Sequence, residues 1–229
     1  MNTVLLIAVG PKYVDILIEK YTLLHKESNI VVYTDNTTKV KKNTDITDIR
    51  EYKLTPFRYF DKYTLTELIT REIKAPVLYI DVGRLDVLKK VKYHHFNPDK
   101  VNNVYTNSNW KGYETAERLK NYKDEYLESN YWDDILEYMV KEGTILDQVV
   151  PLLERIFIFP YSPIVSKVIL ELEKIRPVFE RSSLSKINTY TGIGNGEGLA
   201  LGYAFSKLKY KTSYLRDIPI ELKEPYNII

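Results

Sequence analysis

The feature that most restricts the fold of this chain is the order of apolar segments in its first ninety residues. Residues 3–9 form a short, continuous apolar run that predicts a buried strand, which the Gly-Pro pair at positions 10–11 ends. Residues 13–26 carry apolar side chains at helical spacing, and residues 30–34 predict a second strand that ends at Asp35. A strand, a helix and a strand in this order are typical of a parallel sheet with a right-handed crossover. The opening therefore predicts an α/β protein.

A second apolar run, residues 77–80, follows a predicted helix at residues 63–73 and a proline at position 76. It is short and rich in β-prone side chains, as expected for a central strand. It ends in Asp81, with Gly83 two residues later. Both residue types are common in turns, but ligands of open α/β sheets also bind beyond the carboxyl ends of the strands. Asp81 is therefore either a turn residue or part of a ligand site.

The remaining segments continue the alternation of helices and strands. Apolar spacing predicts helices at residues 115–128, 131–142, 165–175 and 199–207, and apolar runs predict strands at residues 49–54, 155–159 and 212–215. Polar composition predicts a loop at residues 39–48 and an irregular segment at residues 92–109. The sequence contains no repeat or linker, so we expect one domain, residues 1–229, with a mostly parallel central sheet flanked by helices. Its halves would be residues 1–90 and 91–229.

Composition excludes several classes of protein. A formal net charge of +2 leaves no electrostatic footprint for nucleic acid or an anionic membrane surface. The absence of cysteine excludes disulfides, thiolate catalysis and zinc ribbons. The apolar run at residues 4–9 is too short for a signal peptide, and no window reaches the roughly 20 apolar residues of a membrane span. We therefore expect a cytoplasmic protein without a membrane span, and the Lys, Asn, Tyr and Ile usage is compatible with a microbial or viral host.

Two adjacent histidines, His94 and His95, are the remaining candidates for metal binding through nitrogen. Adjacent side chains of an extended backbone point in opposite directions, so the pair alone is not expected to bind a metal ion. With three histidines and no cysteine, a structural or catalytic zinc site is not expected, whereas Asp residues can bind oxygen-preferring cations such as Mg²⁺ or Mn²⁺.

Four of the nine glycines stand at alternate positions before the last predicted helix: Gly192, Gly194, Gly196 and Gly198. The loop lacks the preceding apolar strand of a dinucleotide fingerprint and the Lys-Ser/Thr pair of a P-loop. Glycines nevertheless let the backbone approach a ligand closely, and Glu197 stands where a helix N-terminus stabilises an anion. Glu197 is therefore either a functional carboxylate or a residue that caps the helix.

Together these segments resemble the nucleotide-sugar-dependent glycosyltransferases of the GT-A fold. The stretch TVLLIAVGPKYVDILIEKYTLLHKESNIVVYTDN, residues 3–36, is similar to the first β-α-β unit of that Rossmann-like fold. The stretch FRYFDKYTLTELITREIKAPVLYIDVG, residues 57–83, is similar to the segment that leads into its Asp-X-Asp motif, which binds a divalent metal and the donor diphosphate. Asp81 matches the first position of the motif, whereas Gly83 stands at the second and Arg84 follows.

The resemblance implies that residues 1–90 form the nucleotide-binding half, which would hold a UDP- or GDP-linked sugar. The implied nucleotide- and diphosphate-binding residues are Ala8, Val9, Gly10, Tyr13, Asp35, Arg58, Asp81, Gly83 and Arg84. Asp81 would be the metal ligand for Mn²⁺ or Mg²⁺, and the fixed cation of Arg84 would take over part of the metal's electrostatic role. Asp86 has the wrong spacing to replace the second Asp.

The C-terminal segments are similar in order to the retaining α-galactosyl and blood-group-type transferases. The match covers LLERIFIFPYSPIVSKVILELEKI, residues 152–175, and GNGEGLALGYAFSKLKYKTSYL, residues 194–215. Residues at about 98–153 do not match, and the resemblance implies that they form a helical insertion. It implies that Glu197 is the nucleophile, or the carboxylate that stabilises an oxocarbenium-like transition state. Tyr190, Gly196, Asp147 and Glu154 would lie near the sugar or the acceptor, and an inverting enzyme would take Asp147 or Glu154 as its general base.

These observations favour an enzyme of glycan biosynthesis that transfers a hexose from a nucleoside diphosphate to a glycan or sugar acceptor. An alternative is a non-catalytic nucleotide- or glycan-binding module that has lost the metal site, which the missing second Asp supports. A third is a sugar nucleotidyltransferase, which usually carries a Gly-rich, basic loop after the first strand. Here that loop, AVGPKYVD at residues 8–15, holds one Gly and one Lys.

Overall fold

The structure is a computed structural model that describes residues 1–53, 60–89, 93–107, 130–149, 152–184 and 197–219. These residues form a seven-stranded mixed sheet with helices on both faces. The strands are β1 (Asn2–Ala8), β2 (Ser28–Thr34), β3 (Asp48–Glu51), β4 (Val77–Ile80), β5 (Tyr105–Asn107), β6 (Leu153–Phe159) and β7 (Ser213–Tyr214). The helices are α1 (Pro11–Lys20), α2 (Thr22–His25), α3 (Thr37–Asn43), α4 (Asp61–Ile73), α5 (Asn130–Lys141), α6 (Pro163–Leu184) and α7 (Glu197–Lys207).

The strand order is β3-β2-β1-β4-β6-β5-β7. β1 pairs in parallel with β2 on one side and β4 on the other, so Leu5 stands beside both Val31 and Tyr79. β6 runs antiparallel to β4 and β5, whereas β3 and β7 are parallel to their neighbours. The chain leaves β1 towards β2 and β3 and then returns to the opposite side of β1 as β4. The strand order therefore reverses between β1 and β4. The crevice beyond the carboxyl ends of these two strands is a topological switch point.

Alternate side chains of the central strands fill two separate cores. In β1, Leu5 belongs to the core shared with α4 to α7, whereas Leu6 belongs to the core shared with α1 to α3. In β4, Tyr79 and Ile80 divide in the same way. A parallel strand that is covered by helices on both faces requires apolar side chains at every position. This requirement explains why the sequence shows continuous apolar runs rather than alternation.

The structure confirms the α/β class, a mostly parallel sheet flanked by helices, and most of the predicted elements. The strand predicted at residues 77–80 has those bounds, and the helix predicted at residues 131–142 is α5. The helix predicted at residues 13–26 is divided into α1 and α2. The helix predicted at residues 115–128 lies outside the described residues.

The loop predicted at residues 39–48 is wrong, and the irregular segment predicted at residues 92–109 is irregular only in part. Residues 39–48 contain most of α3, which begins after Asn36, whose side chain accepts a hydrogen bond from the Lys39 N–H at 3.0 Å. Residues 92–109 contain β5, so the segment predicted as a helical insertion also supplies one strand of the sheet. A seven-residue helix and a three-residue strand are too short for hydrophobic periodicity to reveal them.

Candidate functional site

The loops that follow β1 and β2 are tied together at the switch point. The backbone N–H of Gly10, two residues after β1, donates to both carboxylate oxygens of Asp35 at 3.1 and 3.0 Å. Asp35 directly follows β2 and is exposed. Gly10 has a φ of 86° and a ψ of 156°, a conformation that is essentially restricted to glycine. Ala8 and Val9, which lead into this turn, are buried.

The other side of the crevice is formed by the 3₁₀ helix Val82–Lys89, which follows β4. Gly83 lies in its first turn, and a Cβ atom at this position would be 4.0 Å from Cε1 of Tyr13 in α1. Tyr13 is 43% exposed. The aromatic ring therefore stands beside the Gly83 backbone and remains accessible to a ligand.

Asp81 lies between β4 and the 3₁₀ helix and has two separate roles in the local structure. Its carbonyl oxygen accepts a hydrogen bond from the Arg84 N–H at 2.7 Å, and its own N–H donates to the Arg155 carbonyl of β6 at 2.8 Å. Its carboxylate accepts a hydrogen bond from the Tyr79 hydroxyl at 2.6 Å. The backbone thus forms a turn, while the half-buried carboxylate is oriented by Tyr79 at the mouth of the crevice.

Lys62 is a charged residue of this region that sequence reasoning missed. It lies in the first turn of α4 and is only 6% exposed. Its ammonium group is 5.4 Å from the centre of the Tyr63 ring and 6.0 Å from that of Tyr79. A buried lysine requires compensating partners, and here a cation lies next to the tyrosine that orients Asp81. No sequence motif marks Lys62, because its burial follows from how α4 packs on the sheet.

Asp86 does not supply the missing second carboxylate. Lys20 hydrogen-bonds to Asp86 and thereby lowers the pKa of its carboxyl group, and Lys89 lies 3.5 Å from the same group. Among the residues that the structure describes, Asp81 belongs to no group of three potential metal ligands. Asp81 thus stays a candidate cation ligand, with no three-ligand cluster around it in the described part of the chain.

The N-terminus of α7 lies at the same end of the strands as Asp81. The Leu152 N–H, one residue before β6, donates to the carbonyl of Gly198 at 3.0 Å. Arg155 lies beside Asp81, and Leu152 lies three positions before Arg155, which corresponds to about 10 Å of strand. The backbone of Glu197, the first residue of α7, thus lies on the side of the sheet where β1, β2 and β4 end.

Several predicted site residues fall wholly or partly outside the described structure. Glu154 lies in β6 and Asp147 in the 3₁₀ helix Leu146–Gln148, but their side chains, like that of Glu197, are not described. Arg58, Tyr190 and Gly196 lie outside the described residues. Their predicted roles remain predictions.

A second cluster of polar side chains lies at the opposite end of the strands, where β1 and β2 begin. Nε2 of His94 and Nε2 of His95 lie 2.5 and 3.2 Å from the same carboxylate oxygen of Glu27. The expectation that the histidine side chains diverge is wrong, because Tyr93–His95 is a 3₁₀ helix rather than extended backbone. The two rings are 4.3 Å apart. These three residues form a group that could hold a metal ion.

No protein-family model matches this chain, and no curated protein is significantly similar to it. None of the helices in the described ranges has the length and apolar character that a membrane span requires.

Proposed function

We propose that this protein is a GT-A-type glycosyltransferase that transfers a hexose from a nucleoside diphosphate to a glycan or sugar acceptor. The observation that carries the proposal is the arrangement of Gly10, Asp35 and Asp81 at the ends of three neighbouring parallel strands. These strands flank the point where the strand order reverses, and open α/β sheets bind nucleotides at such points.

The nucleoside would bind between Asp35 and Tyr13. In nucleotide-binding sheets an acidic residue beyond the second strand accepts hydrogen bonds from the ribose hydroxyls, and Asp35 occupies that position. Each carboxylate oxygen has more than one acceptor site, so Asp35 can bind the ribose while it holds the Gly10 N–H. The exposed ring of Tyr13 offers a surface for stacking of the base.

The diphosphate would lie across the first turn of the 3₁₀ helix Val82–Lys89. Gly83 lets the backbone approach the phosphates closely, and the exposed guanidinium of Arg84 supplies a positive charge. A Mn²⁺ or Mg²⁺ ion would be held by the Asp81 carboxylate, and Arg84 would neutralise part of the charge that develops on the leaving diphosphate. The Tyr79 hydroxyl holds the Asp81 carboxylate in place for either arrangement.

In the transfer step the bond between the anomeric carbon and the diphosphate oxygen breaks, and a bond to the acceptor hydroxyl oxygen forms. The hydroxyl proton passes to the leaving diphosphate or to a carboxylate base. Glu197, at the N-terminus of α7, would stabilise the positive charge on the anomeric carbon. The support for this role is the position of its backbone on the same side of the sheet as Asp81.

The proposal is tested first by thermal unfolding with nucleoside diphosphates and their sugars, with and without Mn²⁺. A ligand at 100 times its dissociation constant adds about 2.7 kcal/mol of stability, so one nucleotide should raise Tm clearly. Asp35→Asn should lose most of this shift, whereas Asp99→Asn, an exposed carboxylate elsewhere, should keep it. If no nucleotide raises Tm under either condition, the proposal is wrong.

The second stage distinguishes a transferase from a binding module. Glu197→Gln should retain the nucleotide-induced rise in Tm but lose about 10²-fold or more of donor turnover. A wild-type protein that binds the nucleotide-sugar without turning it over is instead the binding module. Release of pyrophosphate from a nucleoside triphosphate and a sugar phosphate would identify the nucleotidyltransferase.

A further inference from the structure

We propose that Glu27, His94 and His95 form a binding site for a divalent ion of the Zn²⁺ class. The site lies at the end of the sheet where β1 and β2 begin. The three ligand atoms lie within 4.8 Å of one another. Two imidazole nitrogens and one carboxylate oxygen are the donor set of three-ligand zinc sites, in which a water molecule completes the coordination.

The ligand atoms already stand close to the separations that an ion requires. Tetrahedral Zn²⁺ with bonds of about 2.0–2.1 Å holds its ligands roughly 3.4 Å apart. Nε2 of His95 is 3.2 Å from the Glu27 oxygen, whereas Nε2 of His94 is closer, at 2.5 Å. The Glu27 side chain is 40% exposed and would move outward by about an ångström to admit the ion.

His95 supplies a second observation that a simple His–Glu hydrogen bond does not explain. Its Nε2 atom is buried, yet within the described residues it makes no hydrogen bond, although it lies near Glu27. A buried polar atom that lacks a hydrogen bond is costly. Coordination of a cation at the point where both rings and the carboxylate converge would satisfy it.

The backbone that carries the ligands is held by the sheet itself. The side-chain amide of Asn2, the first residue of β1, donates to the carbonyls of His94 and Phe96 at 2.7 and 2.5 Å. Glu27 directly precedes β2, whose first residue pairs with Asn2. His94 is buried, while His95 and Glu27 are partly exposed, so a solvated ion can enter from the side of these two residues. The ion would fasten the 3₁₀ helix Tyr93–His95 to the start of β2.

This site is independent of the proposed nucleotide site. The two sites lie at opposite ends of β1, roughly 20 Å apart, since its seven residues each add about 3.3 Å. Imidazole ligands favour Zn²⁺ and similar ions, whereas the carboxylate of Asp81 suits oxygen-preferring cations. Failure of either proposal therefore leaves the other standing.

The test is titration of the metal-free, full-length chain with Zn²⁺ against a chromophoric chelator, with the visible absorption of bound Co²⁺ as a second readout. We expect one ion per chain, a higher Tm with Zn²⁺, and the intense Co²⁺ bands of a tetrahedral site. Glu27→Gln and His95→Gln should each weaken Zn²⁺ binding by at least about 10-fold, because each removes a direct ligand. Both positions are partly exposed, so these variants should fold, which urea unfolding without metal checks.

Two variants serve as controls. Glu19→Gln, an exposed glutamate of α1, and Asp81→Asn should bind Zn²⁺ like the wild type. Absence of stoichiometric Zn²⁺ binding would overturn the proposal. Wild-type Zn²⁺ affinity in the Glu27→Gln and His95→Gln variants would also overturn it. Loss of Zn²⁺ binding in Asp81→Asn would do the same, because it would place the ion near Asp81 at the other end of the strands.

Discussion

Gly10 shows how one residue connects the fold to the candidate site. Its φ of 86° turns the chain from β1 into α1 and aims its N–H at the Asp35 carboxylate. A side chain has open space at this position, since no atom lies within 4 Å of a Cβ built there. The requirement for glycine is therefore conformational rather than steric.

We predict that Gly10→Ala lowers the free energy of unfolding by about 1–3 kcal/mol, because alanine is strained at this φ and ψ. Gly83→Ala is the matched control: its Cβ would meet Tyr13 at an ordinary contact distance of 4.0 Å, without a positive φ. Its effect should stay within about 0.5 kcal/mol. Urea unfolding measures both values, and equal effects would show that the backbone of Gly10 relaxes freely.

At the scale of elements, the contact between α4 and α6 includes a buried ion pair. Asp61, in the first turn of α4, accepts hydrogen bonds from the Tyr52 hydroxyl at 2.5 Å and from the Arg176 guanidinium at 3.1 Å. Burial alone would lower the pKa of Arg176, but its carboxylate partners, Glu180 among them, raise it. This cluster holds α6, α4 and the end of β3 together, and so fixes the helix that carries Lys62.

Arg176→Ala should lower the free energy of unfolding by about 3 kcal/mol, since it removes the guanidinium that donates to the buried Asp61 carboxylate. Arg71→Ala is the comparison: this arginine of α4 is 66% exposed and lies 3.7 Å from Glu67, so we expect a loss below about 1 kcal/mol. Denaturant titration of both variants tests the prediction. A loss for Arg176→Ala as small as that for Arg71→Ala would mean that the ion pair between Arg176 and Asp61 contributes little to stability.

For the whole molecule, the sheet order predicts a gradient of stability. β1 lies between β2 and β4, and its Leu5 and Leu6 side chains are completely buried in the two cores. β3 forms one edge of the sheet and its residues are at least partly exposed. Regions with few buried contacts open locally, whereas a doubly covered central strand opens only when the domain unfolds.

Hydrogen exchange under native conditions measures this gradient. The amides of Leu5 and Leu6 should exchange with the free energy of global unfolding obtained from urea titration, and their exchange should depend steeply on denaturant. The hydrogen-bonded amides of β3 should exchange sooner, through local opening. Equal protection of β1 and β3 would show that the sheet has no weak edge and unfolds as one unit.

Local sequence pattern was enough to predict the class of the fold and the positions of Asp35 and Asp81 at strand ends. Continuous apolar runs such as residues 77–80 are required wherever helices cover both faces of a strand, so local pattern is sufficient to predict them. Short elements such as α3 and β5 escaped, because they carry too few residues for a period to show.

Which side chains lie close together depends on the packing of distant segments. Glu27 and His94 are 67 residues apart, and nothing in either local sequence names the other as a partner. Long-range packing also accounts for three further features. These are the burial of Lys62 beside Tyr79, the antiparallel direction of β6 and the position of the α7 N-terminus near Asp81. Local propensity specifies how a segment folds, whereas long-range pairing depends on how whole elements pack, and that information is distributed over the complete chain.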